Sequence, residues 1–361
     1  MTERVLIAMS GGVDSSVAAY LMKESGYDCV GATMALVRSE DTGSGRERAC
    51  CSLDAVEDAR SVACRLGIPY YVFNMRPAFQ KEVIDRFVYA YEHGETPEPC
   101  IDCNRYLKFD RLYERARLLG CGLVATGHYA RIEREDGRWL LKKAADPRRD
   151  QSYFLCTMTQ EQLARTRFPL GGLCKEQTRR IAAEQGFYNA GRPDSQDLCF
   201  VPDGDYAGFI ERCTGRKSPA GDFVGAQGRV LGRHRGVIRY TVGQRRGLGV
   251  SAGRPLYVQR IDAAENRMVL CGEEGLYTRR AEAEGFNWIA FEKPPARLRA
   301  EAKLRAGHGG APAEVWTGAD GRVRVEFDEP QRAVTPGQAL VLYRGETVLG
   351  GGVIRAAEPA C

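Results

Sequence analysis

The stretch that most constrains the fold of this chain is S-G-G-V-D-S-S at residues 10–16, which directly follows the apolar run 5–9. The apolar run is typical of a buried parallel strand, and the paired glycines permit a tight turn. Val13, Val17 and Leu21 then recur at helical spacing. Backbone N–H groups and the positive end of a helix dipole meet at such a junction, so the sequence predicts an anion-binding loop.

Strands and helices alternate through about residue 125. The pattern predicts strands at 28–36, 68–73 and 122–126 and helices at 55–66, 79–91 and 109–119. Such alternation favours a doubly wound parallel sheet, whose ligands bind outside the carboxyl ends of the strands. Met34, Gly127 and His128 then fall on the same rim as the glycine loop.

The character of the chain changes near residue 205, where helical patterns give way to short strands rich in glycine and arginine. Beyond residue 281 short strands are parted by turn dipeptides, which is typical of a small β-barrel. The predicted fold class is therefore α/β, a doubly wound parallel sheet followed by a small mostly-β central domain and a C-terminal β-barrel. The predicted domains are 1–205, 206–281 and 282–361.

Composition and charge limit the partners and the cellular compartment of this chain. The net charge of +5 is only mildly basic, so any surface that binds nucleic acid must come from a local cluster of basic residues. No leader pattern and no apolar stretch near 20 residues is present in the sequence, and we expect a cytoplasmic protein without a membrane partner. The thirteen cysteines also suit a reducing compartment.

Three cysteines lie in loop-like sequence where chemistry is plausible. Cys100 and Cys103 form C-x-x-C in a proline-stiffened loop just ahead of a predicted helix. A thiol there can have its pKa lowered and act as a nucleophile, but C-x-x-C is equally typical of half a zinc site. Cys199 ends a polar loop. The pair Cys50-Cys51 lies in a polar stretch, 38–52, that predicts a flexible loop, and has no firm role.

Residues 148–155 join a charged half, R-R-D-Q, to an apolar half, S-Y-F-L. The apolar half predicts a strand, which would place Arg149, Asp150 and Gln151 at a sheet rim.

Several motifs occur together and in order. They are S-G-G-V-D-S-S, T-P-x-P-x-x-x-C-N around Cys103, A-T-G-H-Y at 125–129, D-Q-S-Y-F-L from Asp150, C-F at 199–200 and Y-T-V-G-Q-R-R-G-L-G from Tyr240. The first resembles the loop of ATP pyrophosphatases (PP-loop enzymes). The whole set resembles the bacterial tRNA-specific 2-thiouridylase family, over residues 4 to about 355.

The resemblance implies ATP-dependent 2-thiolation of the wobble uridine in tRNAs for Lys, Glu and Gln. ATP adenylates the C2 carbonyl oxygen, which makes it a leaving group, and pyrophosphate is released. Sulfur handed on by a cysteine desulfurase or relay protein then replaces AMP. Cys199 matches the cysteine that carries the persulfide, and Cys103 matches its nucleophilic partner.

The resemblance also implies two sets of binding residues. The residues expected to bind ATP are Ala8, Met9, Ser10, Gly11, Gly12, Val13, Asp14, Ser15, Met34 and Gly127. Those expected to contact tRNA or the target base are Glu98, Pro99, Cys100, His128, Arg149, Asp150, Gln151 and Gln338.

Two metal cofactors follow as expectations. Asp14 is placed to reach a Mg²⁺ ion on the pyrophosphate. Cys100 stands where many relatives have aspartate, so Cys100, Cys103 and Cys199 could ligate a [4Fe-4S] cluster with one open iron.

Eight arginines and no acidic residue occur between Arg229 and Arg260. An unbroken positive field favours the phosphate backbone of the tRNA anticodon arm. The family has the motif R-Y-R near the start of the barrel, where it contacts tRNA. This chain has Leu304-Arg305-Ala306 there, so the resemblance does not carry that tRNA contact over.

Two other functions remain open at this point. An amide-forming PP-loop ligase would use the same ATP loop but needs no reactive cysteine pair. A tRNA-binding or sulfur-carrier protein with vestigial chemistry would need no intact ATP loop.

Overall fold

The computed structural model describes residues 2–37, 53–192 and 198–359. Within them the chain forms two compact units. Unit 1 comprises Met1–Val83, Cys100–Gly204 and Glu346–Val348, and unit 2 comprises Ile84–Pro99, Asp205–Gly345 and Leu349–Cys361. The predicted flexible loop with Cys50 and Cys51 lies outside the described residues.

The helices of the described chain are short. They are α1 (Val13–Glu24), α2 (Leu53–Arg65), α3 (Arg76–Phe79), α4 (Asp85–Glu92), α5 (Pro99–Asp102), α6 (Leu112–Leu118), α7 (Gln160–Ala164), α8 (Lys175–Glu184) and α9 (Tyr206–Thr214). Two π-helical stretches, Gln80–Ile84 and Cys103–Arg111, break the continuous helices predicted at 79–91 and 109–119. Such stretches are often found at functional sites.

Unit 1 is built on a five-stranded parallel sheet with strand order β3-β2-β1-β4-β7. The strands of unit 1 are β1 (Arg4–Ala8), β2 (Asp28–Ala35), β3 (Tyr70–Asn74), β4 (Leu123–Thr126), β5 (Arg131–Glu135), β6 (Arg138–Lys142) and β7 (Thr166–Arg167). Strands β5 and β6 form a hairpin that is not part of this sheet. Val17, Val62 and Ala182 pack on one face of the sheet, and Leu112 and Ala116 pack on the other. Helices thus cover both faces, which confirms the predicted doubly wound sheet.

The strand predicted after residue 150 is wrong. Residues Ser152–Leu155 form a 3₁₀ turn. The Asp150 carboxylate accepts hydrogen bonds from the Ser152 backbone N–H and hydroxyl, at 3.2 and 2.9 Å. This local bond turns the backbone before an extended strand can form.

Unit 2 contains a four-stranded sheet and a closed barrel. The sheet has the order β10-β11-β8-β9 and is formed by β8 (Gly221–Val224), β9 (Val230–His234), β10 (Tyr257–Asp262) and β11 (Arg267–Cys271). Helix α9, which the sequence reading missed, precedes this sheet and buries Phe209 and Ile210.

The barrel of unit 2 confirms the predicted C-terminal fold. Its strands are β12 (Tyr277–Trp288), β13 (Arg297–Lys303), β14 (Ala311–Thr317), β15 (Val323–Arg332), β16 (Ala339–Arg344) and β17 (Thr347–Pro359). Pairing of β12 with both β15 and β17 closes the ring. Val315, Val325 and Leu340 are fully buried in its core. The boundaries predicted for three domains stay a prediction.

No helix among the described residues is both long and apolar enough to cross a membrane.

Candidate active site

The predicted phosphate loop lies between β1 and α1 and is shaped by its own hydroxyls. The Ser15 hydroxyl accepts a hydrogen bond from the Ser10 N–H at 3.1 Å and donates one to the Gly12 carbonyl at 2.9 Å. Gly11 has φ +78°, and a Cβ there would lie 2.3 Å from the Ala55 carbonyl oxygen. The first N–H groups of α1 point out of the helix end, which is a favourable place for an anion.

The other residues expected to bind ATP lie on the same rim. Ala8 ends β1, Met9 directly follows it, and Met34 is half-buried near the end of β2. Gly127 follows β4, and a Cβ added to it would lie 2.8 Å from the backbone of Asp14 and Ser15. The sheet therefore brings Gly127 directly against the loop.

Substitution of Gly127 by alanine is expected to displace the loop and to weaken ATP binding at least about tenfold. The added methyl meets backbone atoms, and overpacking of this kind costs about 1–3 kcal/mol. Isothermal titration with ATP measures the effect. Gly122→Ala is the matched control, because nothing lies within 4 Å of a Cβ at Gly122. Equal ATP affinity in both variants would contradict this packing argument.

A buried lysine that sequence reasoning missed reaches the loop from α8. The Lys175 ammonium lies 2.7 and 2.8 Å from the two carboxylate oxygens of Asp14, and Lys175 is 5% exposed. The Tyr129 hydroxyl donates to Asp14 at 2.8 Å and lies 2.9 Å from the Thr178 hydroxyl. The loop thus has a cation, although none follows its glycines.

A sequence signal for Lys175 did exist. The residue is the first of α8, where the helix dipole disfavours a positive charge. A residue that breaks a local rule in this way often has a functional reason.

Asn189 holds the loop from the opposite side. Its fully buried amide donates to the Gly11 carbonyl at 2.7 Å and to the Ser16 hydroxyl at 2.9 Å. These bonds fix the backbone of the turn.

The three candidate cysteines all belong to unit 1. Cys103 is 9% exposed and begins the π-helical stretch 103–111. Cys199 is half-buried in a turn, where the next residue, Phe200, packs against Phe79 with ring centroids 5.7 Å apart. Cys100 is exposed on α5. All three are thiols in this structure.

The arrangement does not fit a three-thiolate cluster. Across residues 2–37, 53–192 and 198–359, no group of three His, Cys, Asp or Glu side chains is placed to hold a metal ion. We therefore derive no step through an iron–sulfur cluster.

Asn104 joins two of the predicted segments. Its side-chain amide donates to the Phe154 carbonyl at 2.9 Å, and the residue is 2% exposed. This bond ties the Cys103 helix to the turn that follows Asp150 and Gln151.

Asp150 and Gln151 use their side chains to hold the backbone in this structure. One Asp150 carboxylate oxygen accepts the Ala144 N–H at 3.0 Å, and the Gln151 amide oxygen accepts the Tyr129 N–H at 2.9 Å. Arg149 beside them is exposed. Contacts of these three residues with tRNA stay predictions.

His128 is buried rather than presented to solvent. Its Nδ1 lies 2.7 Å from the Thr126 hydroxyl, and its Nε2 lies 3.3 Å from the Lys108 ammonium. Because the ammonium can only donate, Nε2 is the acceptor and the ring is neutral. Burial first, and then the Lys108 cation, hold the pKa of His128 well below its ordinary value. This arrangement does not present the ring to tRNA, so that contact stays a prediction.

The neutral His128 predicts a loss of stability in acid. A histidine whose pKa is lowered on folding stabilises the protein above its unfolded pKa of about 6.5, and this contribution is lost as the pH falls below that value. We expect the free energy of unfolding of the wild type to fall more steeply between about pH 7 and 5 than that of His128→Gln, by up to about 1.4 kcal/mol per pH unit. Chemical denaturation at several pH values measures the slopes, and parallel curves would contradict the prediction.

The remaining candidates for tRNA contact lie in unit 2. Gln338 donates from its side-chain amide to the Thr96 carbonyl at 2.9 Å, and the Thr96 N–H donates to the Pro336 carbonyl at 2.9 Å. Glu98 is half-buried and Pro99 is buried. Gln338 therefore holds the backbone of the proline-rich segment that precedes Cys100 and Cys103 in the chain.

Three family models match the chain in succession. They are described as the tRNA methyl transferase HUP domain at residues 3–203, the tRNA methyl transferase PRC-barrel domain at 207–272 and the aminomethyltransferase beta-barrel domain at 278–354.

Curated relatives match over nearly the whole length. The tRNA-specific 2-thiouridylase of Acetivibrio thermocellus is 49% identical, with 98% of this chain and 99% of the relative covered. That of Clostridioides difficile is 46% identical, with 98% of each chain covered. Among solved structures, a 4-thiouridine synthetase–RNA complex with bound ATP is 21% identical, covers 55% of this chain and 45% of its own, and has a TM-score of 0.38, which is too distant to carry an argument. On the full-length identity, this chain belongs to the tRNA-specific 2-thiouridylase family.

Proposed function

We propose that the protein is an ATP-dependent sulfurtransferase that converts the wobble uridine of tRNA, in tRNAs for Lys, Glu and Gln, to 2-thiouridine. The observation that carries the proposal is the phosphate loop with Asp14 and Lys175, in the same unit as Cys103 and Cys199. An amide-forming ligase would have no use for these cysteines. A vestigial carrier protein would not need so complete an ATP site.

The first step makes an inert oxygen into a leaving group. The uridine C2 carbonyl oxygen attacks the α-phosphorus of ATP, the bond to the bridging oxygen breaks, and pyrophosphate leaves. The N-terminus of α1 and the Lys175 ammonium stabilise the negative charge that the phosphates carry. Asp14 and Tyr129 hold that ammonium in place.

Magnesium would supply further charge neutralisation on the phosphates. Asp14 is the carboxylate of the loop itself and would be the protein ligand of the ion. Mg²⁺ commonly keeps several waters and binds one or two carboxylates plus phosphate oxygens, so a single carboxylate fits the ion.

The second step replaces AMP by sulfur. The terminal sulfur of a Cys199 persulfide attacks C2, and the C–O bond to AMP breaks. The Cys103 thiolate then attacks the inner sulfur of Cys199, the S–S bond breaks, and the outer sulfur stays on C2. A Cys103–Cys199 disulfide forms and needs a thiol reductant before the next turnover.

The persulfide comes from a cysteine desulfurase or a relay protein. Both enzyme and donor work in the cytoplasm in this proposal, where reduced thiols persist. The tRNA is bound through its anticodon arm, and the target base swings out of its stack, which costs less in a loop than in a duplex.

The experiment supplies ATP, Mg²⁺, a persulfide donor and unmodified tRNA. The proposal expects AMP, pyrophosphate and an oxygen-to-sulfur mass change in one uridine. AMP formation that depends on ammonia or an amino acid, and not on tRNA, would establish the ligase instead. Binding of tRNA without AMP formation would establish the carrier.

A further inference from the structure

The arginines of unit 2 fall into two groups that differ in their partners. In the barrel most of them pair with carboxylates. These pairs include Arg280–Glu326, Arg297–Glu314, Arg299–Asp328, Arg322–Glu282, Arg324–Asp320 and Arg355–Glu95. The positive charge of these paired arginines is therefore locally neutralised.

The segment 229–260 behaves differently. Arg239 pairs with Glu211 at 2.8 Å, and Arg233 and Arg254 make long pairs at 3.9 and 3.8 Å. Arg245 and Arg246 are exposed, and neither makes an ion pair with a carboxylate in the described part of the chain. Their charge is thus not neutralised within the described structure.

The loop that carries these two arginines, residues 241–249, is braced by one side chain. The Gln244 amide oxygen accepts the Thr241 N–H at 3.1 Å, and its NH₂ group donates to the Arg246 carbonyl at 3.0 Å. The Gly243 N–H donates to the Val258 carbonyl at 2.7 Å, and the Val258 N–H donates to the Gln244 carbonyl at 3.0 Å.

Two more features fix the shape of this loop. Gly247, which follows the arginines, has φ +77°, a backbone conformation that other residues rarely adopt. Leu248 beside it is buried and anchors the loop to the unit. The two guanidinium groups are therefore presented on a pre-organised backbone, which reduces the entropy lost on binding.

We propose that Arg245 and Arg246, on the Gln244-braced loop 241–249, are contacts for the phosphodiester backbone of the tRNA substrate. This inference rests on the proposed function, because it takes tRNA as the partner. Guanidinium groups bind phosphate through paired N–H donors, and each contact releases a counterion from the nucleic acid.

The test measures the Kd of unmodified tRNA at several salt concentrations. Arg245→Gln/Arg246→Gln is expected to weaken binding about tenfold per arginine at low salt, and to reduce the slope of log Kd against log salt by about 2. The matched control is Arg297→Gln/Arg299→Gln, which also removes two charges but from paired arginines of the barrel. It should keep the wild-type slope.

A third variant separates the charge from its presentation. Gln244→Ala keeps both arginines but removes their brace, and should weaken binding a few-fold while the salt slope is unchanged. Thermal melting checks that each variant is folded.

Four outcomes can be told apart. A wild type that binds no tRNA contradicts the proposed function itself. A wild type that binds and thiolates tRNA, with an arginine variant of equal Kd and equal slope, overturns this inference alone. An equal loss in both double variants shows only long-range charge and also overturns it. The inference is also overturned if the Arg245→Gln/Arg246→Gln variant binds tRNA normally but reacts more slowly with a protein persulfide donor. The loop would then be a docking surface for that donor.

Discussion

Replacement of Cys199 by serine is expected to lower the rate of tRNA thiolation by at least about 10³-fold, because a hydroxyl cannot carry a persulfide. The same variant should still release pyrophosphate in the presence of tRNA, since the phosphate loop is intact. Thiolation is measured by mass spectrometry of digested tRNA, and pyrophosphate by a coupled assay in a single turnover.

Two further cysteine variants make this result specific. Cys103→Ser should accept a persulfide on Cys199 at the normal rate but fail to deliver it, because no thiolate is left to break the S–S bond. Cys64→Ser is the matched control, since Cys64 is an exposed thiol on α2 of the same unit. Normal thiolation by Cys199→Ser, or a lost activity in Cys64→Ser, would contradict the assignment.

Replacement of Lys175 by methionine is expected to lower the rate of adenylation by about 10²–10³-fold. Loss of one pre-organised electrostatic group at a reacting centre has a cost of this size. The substitution also leaves the Asp14 carboxylate without its cation, so a loss of stability accompanies the loss of activity. Tm and tRNA-dependent pyrophosphate release measure the two effects.

A second variant tests whether Lys175 acts only by neutralising Asp14. Asp14→Asn/Lys175→Met removes both charges, and the asparagine amide oxygen at position 14 can still accept the hydrogen bond that the Tyr129 hydroxyl donates. We expect this double variant to recover most of the Tm but not the activity. Recovery of the activity together with the Tm would mean that Lys175 serves only to neutralise Asp14.

The sequence was a good guide to the fold of unit 1. Its strands are short apolar runs, and the segments between them have apolar residues at the spacing of a helix. It was a poor guide where one residue changes the local geometry. The Asp150 carboxylate turns the chain into a 3₁₀ turn in place of the predicted strand. The π-helical stretch 103–111 likewise adds a distortion that no periodicity reveals.

The candidate site could be predicted only where its residues are adjacent in sequence. The loop 10–16 was found because one segment supplies the strand, the turn and the helix start. Lys175 and Asn189 reach that loop from more than 150 positions away, by contacts that only the folded sheet creates. His128 shows the opposite case, since its place on the rim was predicted but its burial was not.

We propose above all that the phosphate loop turns the uridine C2 oxygen into a leaving group. Its most direct test uses tRNA whose target uridine carries a heavy oxygen isotope at C2, incubated with the enzyme, ATP and a persulfide donor. We expect this oxygen to appear in the phosphate group of AMP as the uridine is thiolated. Release of the heavy oxygen into water, with unlabelled AMP, would show that the C2 oxygen is not adenylated.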